Sequence, residues 1–207
     1  MILAVIPLKQ VLYGKRRLSG VLSSAHRVQL ISTMAEHVIR VLSEIPEIAG
    51  VSVLTGNETL ALGNCEKIDD EGASLNDAVA YAGRYVESRG ASSMLVVSAD
   101  LPFLSHEDIR CMIEAGRDCG AVLATDSSGT GTNALLISPP SLFQPSFGEH
   151  SLAAHLATAE HMRVRACVLN RAGLARDIDE PTDLSHLIDR AGTGYGFLHQ
   201  YMNRPTE

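Results

Sequence analysis

Three aspartates in this 207-residue chain are the side chains best suited to hold a hard cation. Asp100 follows the apolar run Met94-Leu95-Val96-Val97-Ser98, in the stretch Ser98-Ala99-Asp100-Leu101-Pro102. If that run is a strand of an open α/β sheet, Asp100 lies just outside its carboxyl end, where such sheets gather ligands. Asp177 and Asp179 are two positions apart, so on an extended chain they project to one side and could complete a site with Asp100. Magnesium prefers oxygen ligands, commonly one or two carboxylates together with substrate phosphates. Simpler roles stay open. Pro102 makes Asp100 a candidate turn residue, and Asp179 or Glu180 could merely support a helix that begins at Pro181.

Cations cluster near the start of the chain. Lys9, Lys15, Arg16 and Arg17 follow the first apolar segment and could neutralise a triphosphate, or form a solvated charged loop. Gly14-Lys15-Arg16 is not a P-loop: it lacks the upstream glycine spacing and the Ser/Thr after the lysine. The segment Ser127 to Asn133, rich in glycine and hydroxyls, can expose backbone N–H groups to a phosphate or carboxylate, or serve as a turn. Phe147-Gly148-Glu149-His150-Ser151 precedes a helical stretch from Leu152 to about Ala159. A free helix N-terminus there would attract an anion, and Ser151 could equally be only its cap. The eight histidines form no HExxH pair and no GxSxG occurs, which argues against a covalent acyl-enzyme.

The elements that must position these residues alternate between strand and helix. Strands are expected at Ile2 to Ile6, Gly50 to Thr55, Met94 to Ser98, Gly120 to Ala124, Ala134 to Ile137 and Val164 to Leu169. Several are continuous apolar runs, as strands covered on both faces are. Helical spacing of Val28, Ile31, Ala35, Val38 and Leu42 predicts a helix from Ser24 to Ile45, capped by Ser23 or Ser24. Further helices are expected from Asn76 to Ser88, from Ser105 to about Arg117 behind a Ser-x-x-Asp capping box, and from Pro181. This order predicts an α/β sandwich on a mostly parallel sheet. Residues 1–190 read as a single domain, and 191–207 as a tail or a contact for a homodimer.

Composition narrows the function classes. With 45% apolar and 20% charged residues the chain can build a core. No apolar run approaches the ~20 residues of a membrane span, and the opening Met1 to Pro7 reads as a strand rather than a signal peptide, so a cytoplasmic enzyme without a membrane partner is expected. A net charge of −7 argues against a nucleic-acid partner. Cys65, Cys111, Cys119 and Cys167 form no CxxC pair and are expected to be reduced structural thiols.

Taken in order, these segments resemble the 2-phospho-L-lactate guanylyltransferase family of deazaflavin coenzyme F-420 biosynthesis, from about Ala4 to Leu184. The landmarks are Ile6-Pro7-Leu8-Lys9, Lys15-Arg16-Arg17-Leu18-Ser19, Ser74-Leu75-Asn76, Ala99-Asp100-Leu101-Pro102, Gly129-Thr130-Gly131-Thr132-Asn133-Ala134-Leu135, Phe147-Gly148 with Ser151 and His155-Leu156, and Asp177 to Leu184. The resemblance implies a Rossmann-like, glycosyltransferase-A type fold. It implies transfer of GMP from GTP to a phosphorylated three-carbon acid (2-phospho-L-lactate, phosphoenolpyruvate or 3-phospho-D-glycerate) with release of pyrophosphate. By matching positions, Asp100 and Asp179, with Asp177 close by, would hold Mg²⁺. Lys15 and Arg17 would face the triphosphate, with Lys9 and Ser98 on the nucleotide side and Asn76 near the nucleoside. Thr132, Gly148 and Ser151 would hold the acid's phosphate. The chain departs from the family pattern at Arg16, Ser74 and Glu180, where serine, glycine and threonine are usual. Other nucleotidyltransferases of the fold, acting on molybdopterin or sugar-type acceptors, usually open with a glycine-rich loop that Ile6-Pro7-Leu8-Lys9 does not match. A catalytically inactive nucleotide-binding protein is the alternative of another class.

Overall fold

A computed structural model describes residues 1–8, 14–56, 65–69, 74–141, 143–190, 193–198 and 201. The chain runs β1 (Ile2–Pro7), α1 (Ser24–Ser43), β2 (Ile48–Thr55), β3 (Glu66–Asp69), α2 (Leu75–Ser88), β4 (Ser93–Val97), α3 (His106–Ala115), β5 (Ala121–Thr125), β6 (Thr132–Ile137), α4 (Ser151–His161), β7 (Ala166–Leu169), α5 (Ala172–Ala175) and α6 (Pro181–Arg190). Short 3-10 turns occupy Arg16–Gly20 and Thr193–Leu198. The seven strands form one sheet in the order β3-β2-β1-β4-β6-β5-β7. Only β6 runs against its neighbours, β4 and β5. The expected mostly parallel α/β sheet is therefore found, with β3 and α5 added to it.

Period-two alternation explains the continuous apolar runs. Ala4, Ile6, Leu95, Val97, Val122, Ala124, Ala134 and Leu136 face α1 and α3. Val5, Met94, Val96, Ala121, Leu123, Leu135 and Ile137 face α2 and α4. The inner strands β2, β1, β4, β6 and β5 thus bury both faces, as strands between two helical layers must. The helices start where their caps dictate: Ser23 accepts from the His26 amide, Ser74 from Asp77, and Ser105 with Asp108 makes a full capping box. Ser74, one of the departures from the family pattern, thus has a structural role as the N-cap of α2.

A third cluster lies at the rim. Leu18 and Leu22 pack with Leu30 and Met34 of α1, with Ile178, with Leu184 and Leu187 of α6, and with Tyr195 and Leu198 beyond residue 190. Leu18 anchors the basic segment and Ile178 anchors the acidic one, so this cluster ties the two together. Cys119 and Cys167, expected as reduced thiols, are joined in a disulfide with Cα atoms 6.1 Å apart. The parallel pairing of β5 with β7 brings them together, which their separation of 48 residues does not announce. Among the described residues no helix is long and apolar enough to cross a membrane.

Candidate active site

The carboxyl end of β4 delivers Ser98, Ala99 and Asp100 to one edge of the sheet. Antiparallel β6 begins beside it, since the Ser98 amide donates to the Asn133 carbonyl at 2.9 Å. The segment after α5 brings Asp177 and Asp179 to the same edge, with Ile178 between them buried in the rim cluster. Asp100, Asp177 and Asp179 each offer a carboxylate oxygen, and the three atoms lie within 4.8 Å of one another. The Lys15 ammonium donates to Asp100 Oδ2 at 2.5 Å and to Asp179 Oδ1 at 2.7 Å. Lys15 reaches them from a left-handed backbone conformation, φ 53° and ψ 46°, which side-chain-bearing residues adopt rarely.

Neighbours hold each carboxylate in place. Ser98 Oγ donates to Asp100 Oδ1 at 2.7 Å. Asn133 Nδ2 donates to the Leu174 carbonyl at 3.0 Å and to Asp177 Oδ1 at 3.4 Å. Asp183 accepts from the Asp179 and Glu180 amides at 3.0 and 2.7 Å. The helix-supporting role open to Asp179 or Glu180 thus falls to Asp183, and the Asp179 carboxylate is left to face Lys15.

Burial would push the Asp100 carboxyl up, but the Lys15 charge and hydrogen bonds from Lys15 and Ser98 hold it below the usual range. Burial likewise disfavours the Lys15 ammonium, and the charges of Asp100 and Asp179 outweigh that, raising its pKa. Asp177 is pushed up by burial and by the charges of Asp100 and Asp179, against its bond from Asn133. One ammonium therefore serves two of the three clustered carboxylates, and among the described residues Asp177 has no cationic partner in its hydrogen bonds and ion pairs. An all-oxygen donor set with unbalanced negative charge fits a hard divalent cation, and the Lys15 ammonium is the stand-in cation among these oxygens.

Two adjoining cavities flank this cluster and share Pro7 and Ser98. One, of ≈ 150 Å³, includes Gly14, Lys15, Met34 and Asp100 in its wall. The other, of ≈ 180 Å³, is lined by Leu75, Val96, Thr132, Asn133 and Phe147. Arg17 stands exposed at the rim, 3.5 Å from the Glu180 carboxylate. Lys9 lies outside the described residues.

Other expected contacts are arranged differently. The Asn76 amide is committed at both ends to the Phe147 backbone: Nδ2 donates to its carbonyl at 3.1 Å, and Oδ1 accepts from its N–H at 2.7 Å. Asn76 therefore holds the turn that leads into Gly148, whose φ of 133° suits glycine. Ser151 is buried at the start of α4. The amide of Ser151 donates to Gly148 and that of Leu152 to Thr130, so this N-terminus is less free for an anion than expected. The glycine-rich turn also has an internal acceptor. Asp126 takes the Thr130 and Gly131 amides at 2.9 and 3.0 Å, so those N–H groups do not await a phosphate. Asn133, His155 and Asp183 entered the sequence reading only inside longer segments and landmarks of the resemblance, with no role of their own, and Asp126 not at all; Asp183 also had a local signal, two positions after a helix-opening proline.

The model of the family described as "Guanylyl transferase CofC like" matches residues 2–200. A phosphoenolpyruvate guanylyltransferase of Sphaerobacter thermophilus is 31% identical over 196 residues, covering 93% of this chain and 95% of that relative. A 2-phospho-L-lactate guanylyltransferase of Methanopyrus kandleri is 32% identical over 170 residues, covering 82% of each. Among solved structures, a Desulfovibrio desulfuricans protein provisionally named a nucleotide-diphospho-sugar transferase matches with a TM-score of 0.81. It is 14% identical, with 96% of this chain and 94% of that one covered, a likeness of fold.

Proposed function

The chain belongs to the CofC-like guanylyl transferases, and on that footing we propose that it transfers GMP from GTP to a phosphorylated three-carbon acid in deazaflavin coenzyme biosynthesis. Phosphoenolpyruvate is the first candidate acceptor, because relatives at 31–35% identity carry that substrate in their names. The observation that supports the reading most directly is the clustering of Asp100, Asp177 and Asp179, two of them bonded to Lys15, beside two cavities, in a nucleotidyltransferase.

In the reaction an oxygen of the acid's phosphate forms a bond to the α-phosphorus of GTP. The bond from that phosphorus to the bridging oxygen breaks, and pyrophosphate leaves with the electron pair. Both reactants are anions, so the protein's task is positioning and charge neutralisation. Asp100, Asp177 and Asp179 would hold Mg²⁺, which when bound offsets phosphate charge and polarises the reacting phosphorus. Lys15, whose raised pKa keeps it charged, and Arg17 at the rim offset the charge of the leaving pyrophosphate. Ser98 orients Asp100, and Asn133 orients Asp177. Thr132, Gly148 and Ser151 hold the acid, and Asn76 fixes the turn carrying Gly148. The acceptor phosphate is already ionised near neutral pH, so no general base is required.

The test is pyrophosphate release with GTP and each of phosphoenolpyruvate, 2-phospho-L-lactate and 3-phospho-D-glycerate, with the product's mass measured. A guanylylated acid is expected from at least one of them. Release with none, but with a sugar phosphate or a pterin, would overturn the reading.

A further inference from the structure

His155 lies in α4, four residues after Ser151, on the same face of the helix and 0% exposed. Its two ring nitrogens have unlike partners. The Ser146 backbone N–H donates to Nε2 at 2.8 Å. An amide N–H can only donate, so Nε2 carries the lone pair and the ring proton sits on Nδ1. Nδ1 is 3.1 Å from Thr132 Oγ1, so Nδ1–H donates to the hydroxyl oxygen. Phe147 meets the ring edge-on with centroids 5.0 Å apart and Phe143 lies tilted at 5.9 Å, which fixes the ring plane. Burial among these groups lowers the pKa of His155 to about 4, so the ring is neutral at physiological pH.

A hydroxyl has one proton. With its oxygen accepting from His155, Thr132 has that proton left to give, and Thr132 lines the ≈ 180 Å³ cavity. Phosphate and carboxylate oxygens only accept hydrogen bonds. A Thr132 hydroxyl whose proton were spent on His155 would turn a lone pair towards them and repel them, so the tautomer decides whether Thr132 attracts the acid.

We infer that His155 is a positioning residue for the acceptor: as the Nδ1–H tautomer it ties β6 to the turn from Ser146 to Gly148 and makes the Thr132 hydroxyl a donor to the acid's oxygens. This rests on the proposed reading of Thr132 as an acceptor-binding residue. Thr132 touches the acid, and His155 acts through it.

Nitrogen-15 NMR of the wild-type ring at pH 7 should report Nδ1–H; an Nε2–H ring or an imidazolium would overturn the inference. In steady-state assays with GTP and phosphoenolpyruvate, His155→Phe should raise the KM for phosphoenolpyruvate roughly tenfold, the size of one well-made hydrogen bond, and leave the KM for GTP unchanged. His155→Asn, which can keep an N–H near the place of Nδ1, should recover part of the loss. His155→Gln, which can keep only the acceptor for Ser146, should not. Adding His155→Phe to Thr132→Val should cost no more than Thr132→Val alone. Equal rises in both KM values, or losses that multiply, would mean a merely structural role and overturn the inference. If the phenylalanine variant does not fold, the contrast between asparagine and glutamine decides the same question. The two readings fail separately. A wild-type chain that guanylylates none of the acids overturns the proposed function, whereas an active chain whose phosphoenolpyruvate KM ignores His155 overturns this inference alone.

Discussion

The Lys15 ammonium lies 2.5 Å from the Asp100 carboxylate, across 85 residues of sequence, and the same nitrogen reaches Asp179 at 2.7 Å. One cationic side chain therefore joins the first loop of the sheet to its fourth strand and to the segment before α6. It also stands among the oxygens that suit a divalent ion.

From this follows an unusual pairing of losses. Lys15→Met should leave three carboxylates facing one another without a cation. In EDTA the variant should be less stable by about 2 kcal/mol, below the 3–5 of a fully buried pair because Asp100 is partly open to solvent. Mg²⁺ should restore the variant's Tm and raise it more than it raises the wild type's, while turnover stays low. Thermal melts with EDTA and with millimolar Mg²⁺ measure this. An equal Mg²⁺ response in the two proteins would mean that the carboxylates do not share the ion's site with Lys15.

Asp100→Asn should abolish turnover, by at least about a hundredfold, with an unchanged circular dichroism spectrum. Asp183→Ala should act by another route. It removes the acceptor for the Asp179 and Glu180 amides, so α6 loses about 1 kcal/mol and Asp179 loses its fixed position. A falling Tm with a modest loss of rate is expected for Asp183→Ala, and a far larger loss of rate with the fold retained for Asp100→Asn. Near-normal rates for Asp100→Asn at saturating Mg²⁺ would remove Asp100 from the site.

Much of this arrangement was legible beforehand, for definable reasons. The apolar runs Ile2 to Ile6 and Met94 to Val97 are too short for helices, which suits strands buried on both faces, and that is what they form. Ser105 and Asp108 announced their capping box. β3, with the sequence Glu66-Lys67-Ile68-Asp69, buries only Ile68, so a one-sided edge strand left no apolar signal. Asp100 could be picked out because it follows a continuous apolar strand, and Asp177 and Asp179 because their spacing puts them on one side of an extended chain. What no spacing could tell was how polar groups spend their hydrogen bonds. Asn76 could have met a nucleoside, yet both ends of its amide close on Phe147. The turn after Asp126 has glycines enough for a phosphate, yet the neighbouring carboxylate takes its amides. Such choices depend on which backbone groups the fold leaves unpaired, and that is settled only in three dimensions.

His155 should leave a signature in the pH dependence of stability. Its folded pKa, lowered to about 4 by burial, lies beneath the ordinary histidine value of 6.5, so below pH 6.5 the unfolded chain takes up a proton that the folded chain refuses. The contribution is complete above pH 6.5 and is lost as pH falls towards 4, amounting to about 3 kcal/mol in full. Urea unfolding of the wild type and of His155→Phe at pH 7.5 and pH 4 isolates it. Asp177, whose raised pKa acts in the opposite sense, is common to both proteins and cancels. The wild type should lose about 3 kcal/mol more than the variant; equal losses would mean that the buried ring titrates normally.

Asn76 offers the sharpest separation between the two substrates. Its amide is the only side-chain group holding the Phe147 backbone among the hydrogen bonds of the described residues, and Phe147 and Leu75 both line the cavity beside Thr132. Asn76→Asp keeps the acceptor for the Phe147 N–H but sets a carboxylate oxygen against the Phe147 carbonyl. The turn should move away, and Gly148 with it. Repulsion and a lost hydrogen bond together should cost about 1–3 kcal/mol. That cost should appear as a ten- to hundredfold rise in the KM for the acid, roughly as 1.4 kcal/mol corresponds to tenfold. GTP affinity, measured by calorimetry, should hold nearly constant, because the amide has no free end for the nucleoside. A comparable weakening of GTP with an unchanged KM for the acid would return Asn76 to the nucleotide and mean that the turn can let go of the amide when GTP binds.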